Sequence, residues 1–275
     1  MRAPKSLALN NPQFELFRNV DQFGMEDRLN AILEIIGKFS LTFDSINDLG
    51  GNCGFFSLSL LELFKDVSST VYDKNASFLK IGEEFAEGME LKNRIDFIEK
   101  SLNLAFIENE LPYADMTLCL NLIHHAGYLF DSDFVSEKGW GSYSSEWLNQ
   151  MQKKTRILVL GVGFKESLPM YWIKPTRLLQ FDSRPLQFLN IAKSTGWKLL
   201  YEANVADIRR YGVSIAQGRR MKPSLSLFFK ILNELVEFSF KLKYKIEEIF
   251  KITLRTSYSR SNRRKKYHLY IFTLD

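Results

Sequence analysis

Along the chain, short apolar runs bounded by turn residues alternate with longer segments whose apolar positions recur at helical spacing. Residues 12–39 read as a helix, with Leu29, Ile32, Leu33 and Ile36 on one face before Gly37. T-F-D-S-I-N-D-L-G-G reads as a short strand ending in a glycine turn, and F-F-S-L-S-L-L-E-L-F as a buried helix. S-S-T-V-Y-D-K-N is a second strand ending at an acid, followed by the helix A-S-F-L-K-I-G-E-E-F-A. R-I-D-F-I-E-K, Y-A-D-M-T-L-C-L-N-L-I-H-H and T-R-I-L-V-L-G-V-G supply the third, fourth and fifth strands. R-P-L-Q-F-L-N-I-A-K-S-T-G is a helix closed by glycine, W-K-L-L-Y-E-A-N-V a sixth strand, and Y-H-L-Y-I-F-T-L a seventh.

Strands alternating with helices imply an α/β fold, a mainly parallel sheet covered on both faces, joined by right-handed crossovers. The seventh strand arrives after a long detour, which predicts an antiparallel strand near the sheet edge. The expected organisation is one domain over residues 1–275, with an N-terminal helical cap (1–40) and a helical insert (206–266) before the last strand. Residues 128–150, rich in Gly, Ser and aromatics, read as a loop with a short helix at the carboxyl ends of the strands, where ligands bind.

Charge changes this picture at one place. The chain carries +5 overall, yet between Val205 and Lys266 sixteen Lys and Arg face five acids. That segment therefore holds a surplus of eleven positive charges and leaves the rest at −6. The body is acidic and the insert is the candidate surface for an anionic partner. Two cysteines, Cys53 and Cys119, make no disulfide framework and fit a reducing cytosol. The N-terminal residues lack a long apolar stretch and no run of about 18 uncharged apolar residues occurs, so no signal peptide or membrane-spanning helix is expected. The expected location is cytoplasmic, with a peripheral contact at the inner face of the membrane allowed by the insert.

Candidate chemistry centres on Asp48-x-Gly50-Gly51-x-x-Gly54, which follows a strand and opens a helix. The glycines permit a sharp turn and bring bare backbone close to a ligand. Asp48 can accept from a cationic or hydroxyl-bearing group. Asp73 ends the second strand about 20 residues on, where an acid accepts from ribose hydroxyls. A carboxylate inside the turn would repel a pyrophosphate and suits a ligand with an ammonium and a sulfonium instead. D-L-G-G-N-C-G-F-F-S-L-S-L, V-Y-D-K-N and A-D-M-T-L-C-L-N-L-I-H-H resemble the first, second and fourth motifs of class I S-adenosylmethionine-dependent methyltransferases. The wording G-F-F-S-L-S-L is similar to domains that methylate bacterial polysaccharides and other sugars. The resemblance covers roughly residues 25–204 plus the last strand. It implies a Rossmann-like, three-layer α-β-α fold with a seven-stranded mixed sheet whose last strand is antiparallel, and S-adenosylmethionine as cofactor. By position it implies that Asp48, Gly50, Gly51, Asn52 and Gly54 hold the methionine part. Asp73 takes the ribose, flanked by Lys74 and Asn75; Ser101 and Leu102 stand at the adenine position; Leu120 and Asn121 line the cofactor. Ser101 stands where the family often has an Asp.

Methyl transfer needs alignment, and a hydroxyl acceptor also needs a base. His124 and His125 follow the fourth strand, and in an extended run Asn121, Ile123 and His125 share a side, favouring His125. Glu166 and Asp182 are weaker acid-base candidates. The soft ligands lack C-x-x-C or H-x-x-x-H spacing, so no metal site is expected. N-L-I-H at the fourth strand, in place of an Asn/Asp-Pro-Pro-aromatic run, tilts the reading to an oxygen acceptor. The expected function is O-methylation of a sugar, glycan or related hydroxylated small molecule. Two other readings stand beside it: a non-catalytic adaptor acting through its basic insert, and an RNA methyltransferase. The insert presents an apolar helical face (225, 228, 229, 232, 235 and 236) with Lys230, Lys241, Lys243 and Lys245, so residues 222–266 could dock an anionic membrane or a lipid-linked glycan. Nucleic acid is the less favoured partner, because the charged loop has no interleaved aromatic platform.

Overall fold

The computed structural model describes residues 25–120, 122–127, 129–163, 185–204 and 267–274. The insert at 206–266, most of the N-terminal cap, Asn121, Glu166 and Asp182 lie outside the described residues. In chain order the elements are α1 (Met25–Lys38), β1 (Ser45–Leu49), α2 (Phe55–Leu63), β2 (Ser68–Asp73), α3 (Ala76–Gly88), β3 (Ile95–Glu99) and α4 (Leu104–Asn109). They continue as β4 (Met116–Leu120), α5 (Ser132–Gln152), β5 (Ile157–Gly163), α6 (Pro185–Ser194), β6 (Lys198–Asn204) and β7 (Tyr267–Thr273).

The seven strands form one sheet in the order β3-β2-β1-β4-β5-β7-β6. β1 through β5 pair in parallel, and β7 runs antiparallel between β5 and β6. This is the expected mixed sheet, with the antiparallel strand one place in from the edge. The side-chain period of two divides each central strand between two cores. Met116, Leu118 and Leu120 of β4, Ile157 and Val159 of β5, and Leu269 and Ile271 of β7 face α1, α2 and α3. Cys119, Leu158, Leu160, Val162, Tyr270 and Phe272 face α4, α5 and α6. Because both faces are covered, β5 is buried almost throughout, which is why I-L-V-L-G-V-G lacks polar alternation.

Two polar hubs hold the amino end of the sheet. Asp115 accepts from the Asp44 amide (2.9 Å) and from Arg156 Nε (3.2 Å), joining the starts of β1, β4 and β5. Arg94 donates to the carbonyls of Leu61, Phe64, Lys65 and Val67 at 2.8–3.2 Å, so its guanidinium satisfies the orphan carbonyls at the end of α2. No helix among the described residues is long and apolar enough to cross a membrane.

Two local expectations are corrected. Residues 128–150 are not mainly loop: α5 runs from Ser132 to Gln152, kinked at Gly139 (φ 76°). Poor helix formers hid an apolar stripe of Trp140, Tyr143, Trp147, Leu148 and Met151, and burial of that stripe overrides local propensity. The fourth strand ends at Leu120, and Ile123–His125 is a single 3-10 turn, so the shared side predicted for an extended Ile123 and His125 does not exist. The described part of the first helix, Met25–Lys38, ends within one residue of the expected boundary, with Ser40 at φ 50° beyond it.

Candidate active site

The carboxyl ends of β1, β2 and β4 meet at the glycine loop. Gly50 turns at φ +72° and donates its N–H to the Tyr72 carbonyl (2.8 Å), which ties the loop to β2. Asn52 is also left-handed (φ 58°), a conformation Asn tolerates better than most residues. Gly54 (φ +74°) closes the turn through its N–H to the Gly51 carbonyl (2.8 Å) and starts α2. A Cβ on Gly51 would stand 2.7 Å from both Asp48 Cγ and Val71 Cγ1, and one on Gly50 3.3 Å from the Leu122 side chain. The loop is packed tightly by side chains beneath Gly51, while Gly50 and Gly51 remain partly exposed.

Asp73 joins two loops with one carboxylate. The Asn52 amide donates to Oδ2 and the Asn75 amide to Oδ1, each at 3.0 Å. A carboxylate has about four acceptor positions, so each oxygen keeps capacity for a further donor. Asp73 is partly exposed and Lys74 and Asn75 are exposed. Asn75 spends its own side chain capping α3, accepting from the Ser77 (3.1 Å) and Phe78 (3.4 Å) amides. Next to Asp73, Lys100 donates its N–H to the Asp73 carbonyl (2.9 Å), which brings Ser101 and Leu102 alongside. Ser101 is exposed, whereas Leu102 is buried in the core beneath α4 and α5.

Asp48 is placed differently from the position-based expectation. It is 2% exposed, and its Oδ2 accepts from the Ser57 hydroxyl (2.8 Å), which in turn accepts from the Ser69 hydroxyl (2.9 Å). Burial pushes its carboxyl up to about 7, against the lowering effect of the Ser57 bond. Asp48 is therefore a buried base of the loop rather than an open acceptor.

The two histidines separate in chemistry. His124 is buried, and its Nδ1 accepts the Gly163 N–H at 3.2 Å, bridging the ends of β4 and β5. That bond assigns the proton of the neutral ring to Nε2. Burial, then the neighbouring His125, push His124 down to about 3, so it stays neutral at any ordinary pH. His125 is half-buried, with its ring centroid 4.3 Å from that of His124. Burial and then the Lys74 charge lower its titration too. Of the two, His125 has the access that proton transfer requires. Cys53, partly buried in the loop, is pushed up to about 11 by burial, and Cys119 is fully buried; neither is an activated nucleophile. Among the described residues no group of three His, Cys, Asp or Glu side chains could hold a metal ion.

The site thus gathers Gly50, Gly51, Asn52, Gly54, Asp73, Lys74, Leu120 and His125 at one end of the sheet, with Leu102 as a buried wall. Sequence reasoning passed over Ser57, Leu122 and Gly163, which hold the site from below. It also passed over Gly82 and Phe97. A glycine in the middle of an otherwise good helix was the available signal for Gly82. A shallow cleft of about 180 Å³ lined by Asn47, Ser69, Arg94, Asp96 and Tyr113 lies at the opposite, amino end of the sheet; Arg94 there is committed to the end of α2.

No known family model matches this chain, and no curated protein does. Solved structures do match. The bifunctional kinase-methyltransferase WbdD aligns at 18% identity over 72% of this chain and 40% of its own, with a TM-score of 0.52. The O-methyltransferase domain StiE O-MT aligns at 13% identity over 96% of this chain and 78% of its own, with a TM-score of 0.53. The chain spans about two fifths of the length of WbdD. At such identities the likeness is one of fold: the chain shares the α/β architecture of these methyltransferase structures.

Proposed function

We propose that this protein is an S-adenosylmethionine-dependent methyltransferase that methylates a hydroxyl group of a sugar, glycan or related small molecule. The observation that carries the proposal is the Asp73 carboxylate, fixed between the Asn52 and Asn75 amides beside a bare glycine turn, with acceptor capacity left for ribose hydroxyls. The tight underpacking at Gly51 and the partial exposure of Gly50 and Gly51 fit a ligand laid on the loop. When bound, the cofactor supplies a methyl group already activated by a sulfonium, so the chain's contribution is alignment and proton removal. Asp73 and the loop orient the cofactor. Lys74 stands beside them, and Leu120 lines the approach from β4. His125 removes the acceptor proton, while His124, locked by Gly163, holds the turn that presents it. Likeness in fold to an O-methyltransferase domain supports an oxygen acceptor. In this reading the basic segment 222–266 is the surface that meets an anionic glycan, a lipid-linked sugar or a membrane.

The first experiment is calorimetric titration with S-adenosylmethionine and S-adenosylhomocysteine, with Asp73→Ala as control. Two charge-assisted hydroxyl bonds of about 1.5–3 kcal/mol each predict at least a hundredfold loss of affinity in the variant. Micromolar binding by the wild type that survives Asp73→Ala within about tenfold would refute the assignment of Asp73, and no binding at all would refute the function.

A further inference from the structure

A line of polar side chains crosses the sheet where apolar ones belong. On the face covered by α4, α5 and α6, the register places Asp96 of β3 beside Thr70 of β2, Thr70 beside Asn47 of β1, and Asn47 beside Thr117 of β4. Two residues further along three of these strands, the same face carries Leu49, Tyr72 and Cys119, all in the core. A parallel sheet covered on both faces should be apolar throughout, so the polar row marks a part that the helices leave open. α4 has only six residues, and the chain returns to β4 through Pro112, Tyr113 and Ala114. Between that return and the strands lies the cleft of about 180 Å³ at the amino end of the sheet. Asn47, Thr70 and Asp96 line it from the sheet, and Asn93 and Tyr113 from the connecting segments.

These groups have capacity left for a ligand. Asn47 is 2% exposed, and its Nδ2 donates to the Pro112 carbonyl (2.8 Å), which fixes the return segment and leaves Oδ1 as an acceptor. Thr70 is half-buried beside the Tyr72 hydroxyl, and its own hydroxyl can donate once and accept twice. Asp96 is exposed and forms no ion pair among the described residues. Arg94, the cation among the lining residues, is committed to the carbonyls at the end of α2. At the inner end of the row Thr117 is fully buried, and its Oγ1 has no hydrogen-bond partner among the described residues. A lone buried hydroxyl marks a place for a water or a ligand hydroxyl. Tyr113, 57% exposed, presents a flat ring at the rim. Acceptors and a hydroxyl on strands about 5 Å apart, facing an aromatic ring, fit the hydroxyls and the C–H face of a sugar ring. The unpaired Asp96 carboxylate disfavours phosphates and other anions. We propose that this cleft is a second, non-catalytic site that binds one neutral hexopyranose unit. β1 is five residues long, so the cleft lies roughly 15 Å from the glycine loop, and a glycan held here leaves the candidate active site open. The inference goes beyond the methyl-transfer reading and does not depend on it.

The test is saturation-transfer NMR of the full chain with the methyl glycosides of glucose, galactose and mannose, each beside the glycoside of its uronic acid as the anionic counterpart. At least one neutral probe should bind with a Kd of about 1–10 mM, the range that a ligand of this size reaches at ordinary efficiency. S-adenosylhomocysteine should leave that Kd unchanged, and the matching uronic acid should bind at least about threefold more weakly. Tyr113→Ala and Thr70→Val should each weaken binding by about five- to tenfold. Asp96→Asn should abolish the preference for the neutral sugar over its uronic acid, a change of selectivity that partial loss of fold would not produce. The side chains of Tyr113 and Asp96 are exposed, so these two variants should keep the wild-type Tm. No saturable binding of any of the three neutral probes up to about 50 mM overturns the inference. So does binding that S-adenosylhomocysteine abolishes, which would put the sugar in the methyl-transfer site. Binding left unchanged by both Tyr113→Ala and Asp96→Asn overturns it as well. In each of these cases the proposed function still rests on its own titration with the cofactor.

Discussion

Replacing Gly82 by Ala pits helix propensity against tertiary packing at a single methyl group. Gly82 lies inside α3, where Ala is favoured over Gly by about 1 kcal/mol. The fold supplies the opposing term. A Cβ at Gly82 would stand 2.3 Å from Phe97 Cε1, 2.8 Å from its Cζ and 2.9 Å from the Cys53 carbonyl oxygen. Carbon atoms pack at roughly 3.5–4.0 Å, so the ring or the helix must move by about 1 Å. The same ring lies against Gly54, whose own Cβ would be 3.0 Å from Cε1, so Phe97 is seated between the helix and the loop. Overpacking costs about 1–3 kcal/mol, and approaches of 2.3 Å to a ring and 2.9 Å to a backbone carbonyl belong to the upper half of that range, which leaves a net destabilisation of about 1–2 kcal/mol after the propensity gain. At about 2–4 °C per kcal/mol for a chain of this size, Tm should fall by roughly 2–8 °C, measured by circular dichroism. Because Cys53 belongs to the loop, affinity for S-adenosylhomocysteine should fall as well. Phe97→Leu in the Gly82→Ala background should recover part of the loss, a coupling expected for residues in contact. A Tm equal to or above that of the wild type would refute the reasoning, since propensity would then have won.

Two buried groups give opposing pH dependences that single variants should unmask. His124, depressed to about 3, contributes stability that is present above its unfolded value near 6.5 and is lost as pH falls toward 3. Asp48, raised to about 7, contributes stability that is present below its unfolded value near 3.8 and is lost as pH rises through 7. Between pH 4 and 6.5 these slopes, each about 1.4 kcal/mol per pH unit, offset one another. Asp48→Asn should therefore lose stability on acidification relative to wild type, and His124→Asn should gain it, in urea titrations at pH 4.5 and 6.5; parallel curves for all three proteins would contradict the assignment. Arg94→Met should cost about 2 kcal/mol in the same assay, because four carbonyls at the end of α2 and the turn after it lose a charged donor, and a loss below about 0.5 kcal/mol would count against that role.

Much of this molecule was legible in the order of residues. Short apolar runs ending at Leu49, Asp73, Leu120 and Gly163 specify parallel strands, and the carboxyl ends of the first three gather the candidate site. Asp48, Gly50, Gly51, Gly54 and Asp73 stand at spacings that reflect local chain geometry, and local geometry is written in sequence. What those groups do depends on neighbours remote in the chain. Asp48 is a buried, near-neutral acid because burial between Val71 and Leu118, with the like charge of Asp73, outweighs its bond from Ser57. His124 cannot be told from His125 by type or spacing; the Gly163 amide, 39 residues away, takes up one lone pair and burial removes the charge. The full length of α5, where the sequence reads as a loop with a short helix, is not legible locally because a helix rich in Gly and Ser is held by what it packs against rather than by its own preferences. Burial, tautomer and titration are sums over a three-dimensional surround, and only the packed sheet, with its two cores, decided them.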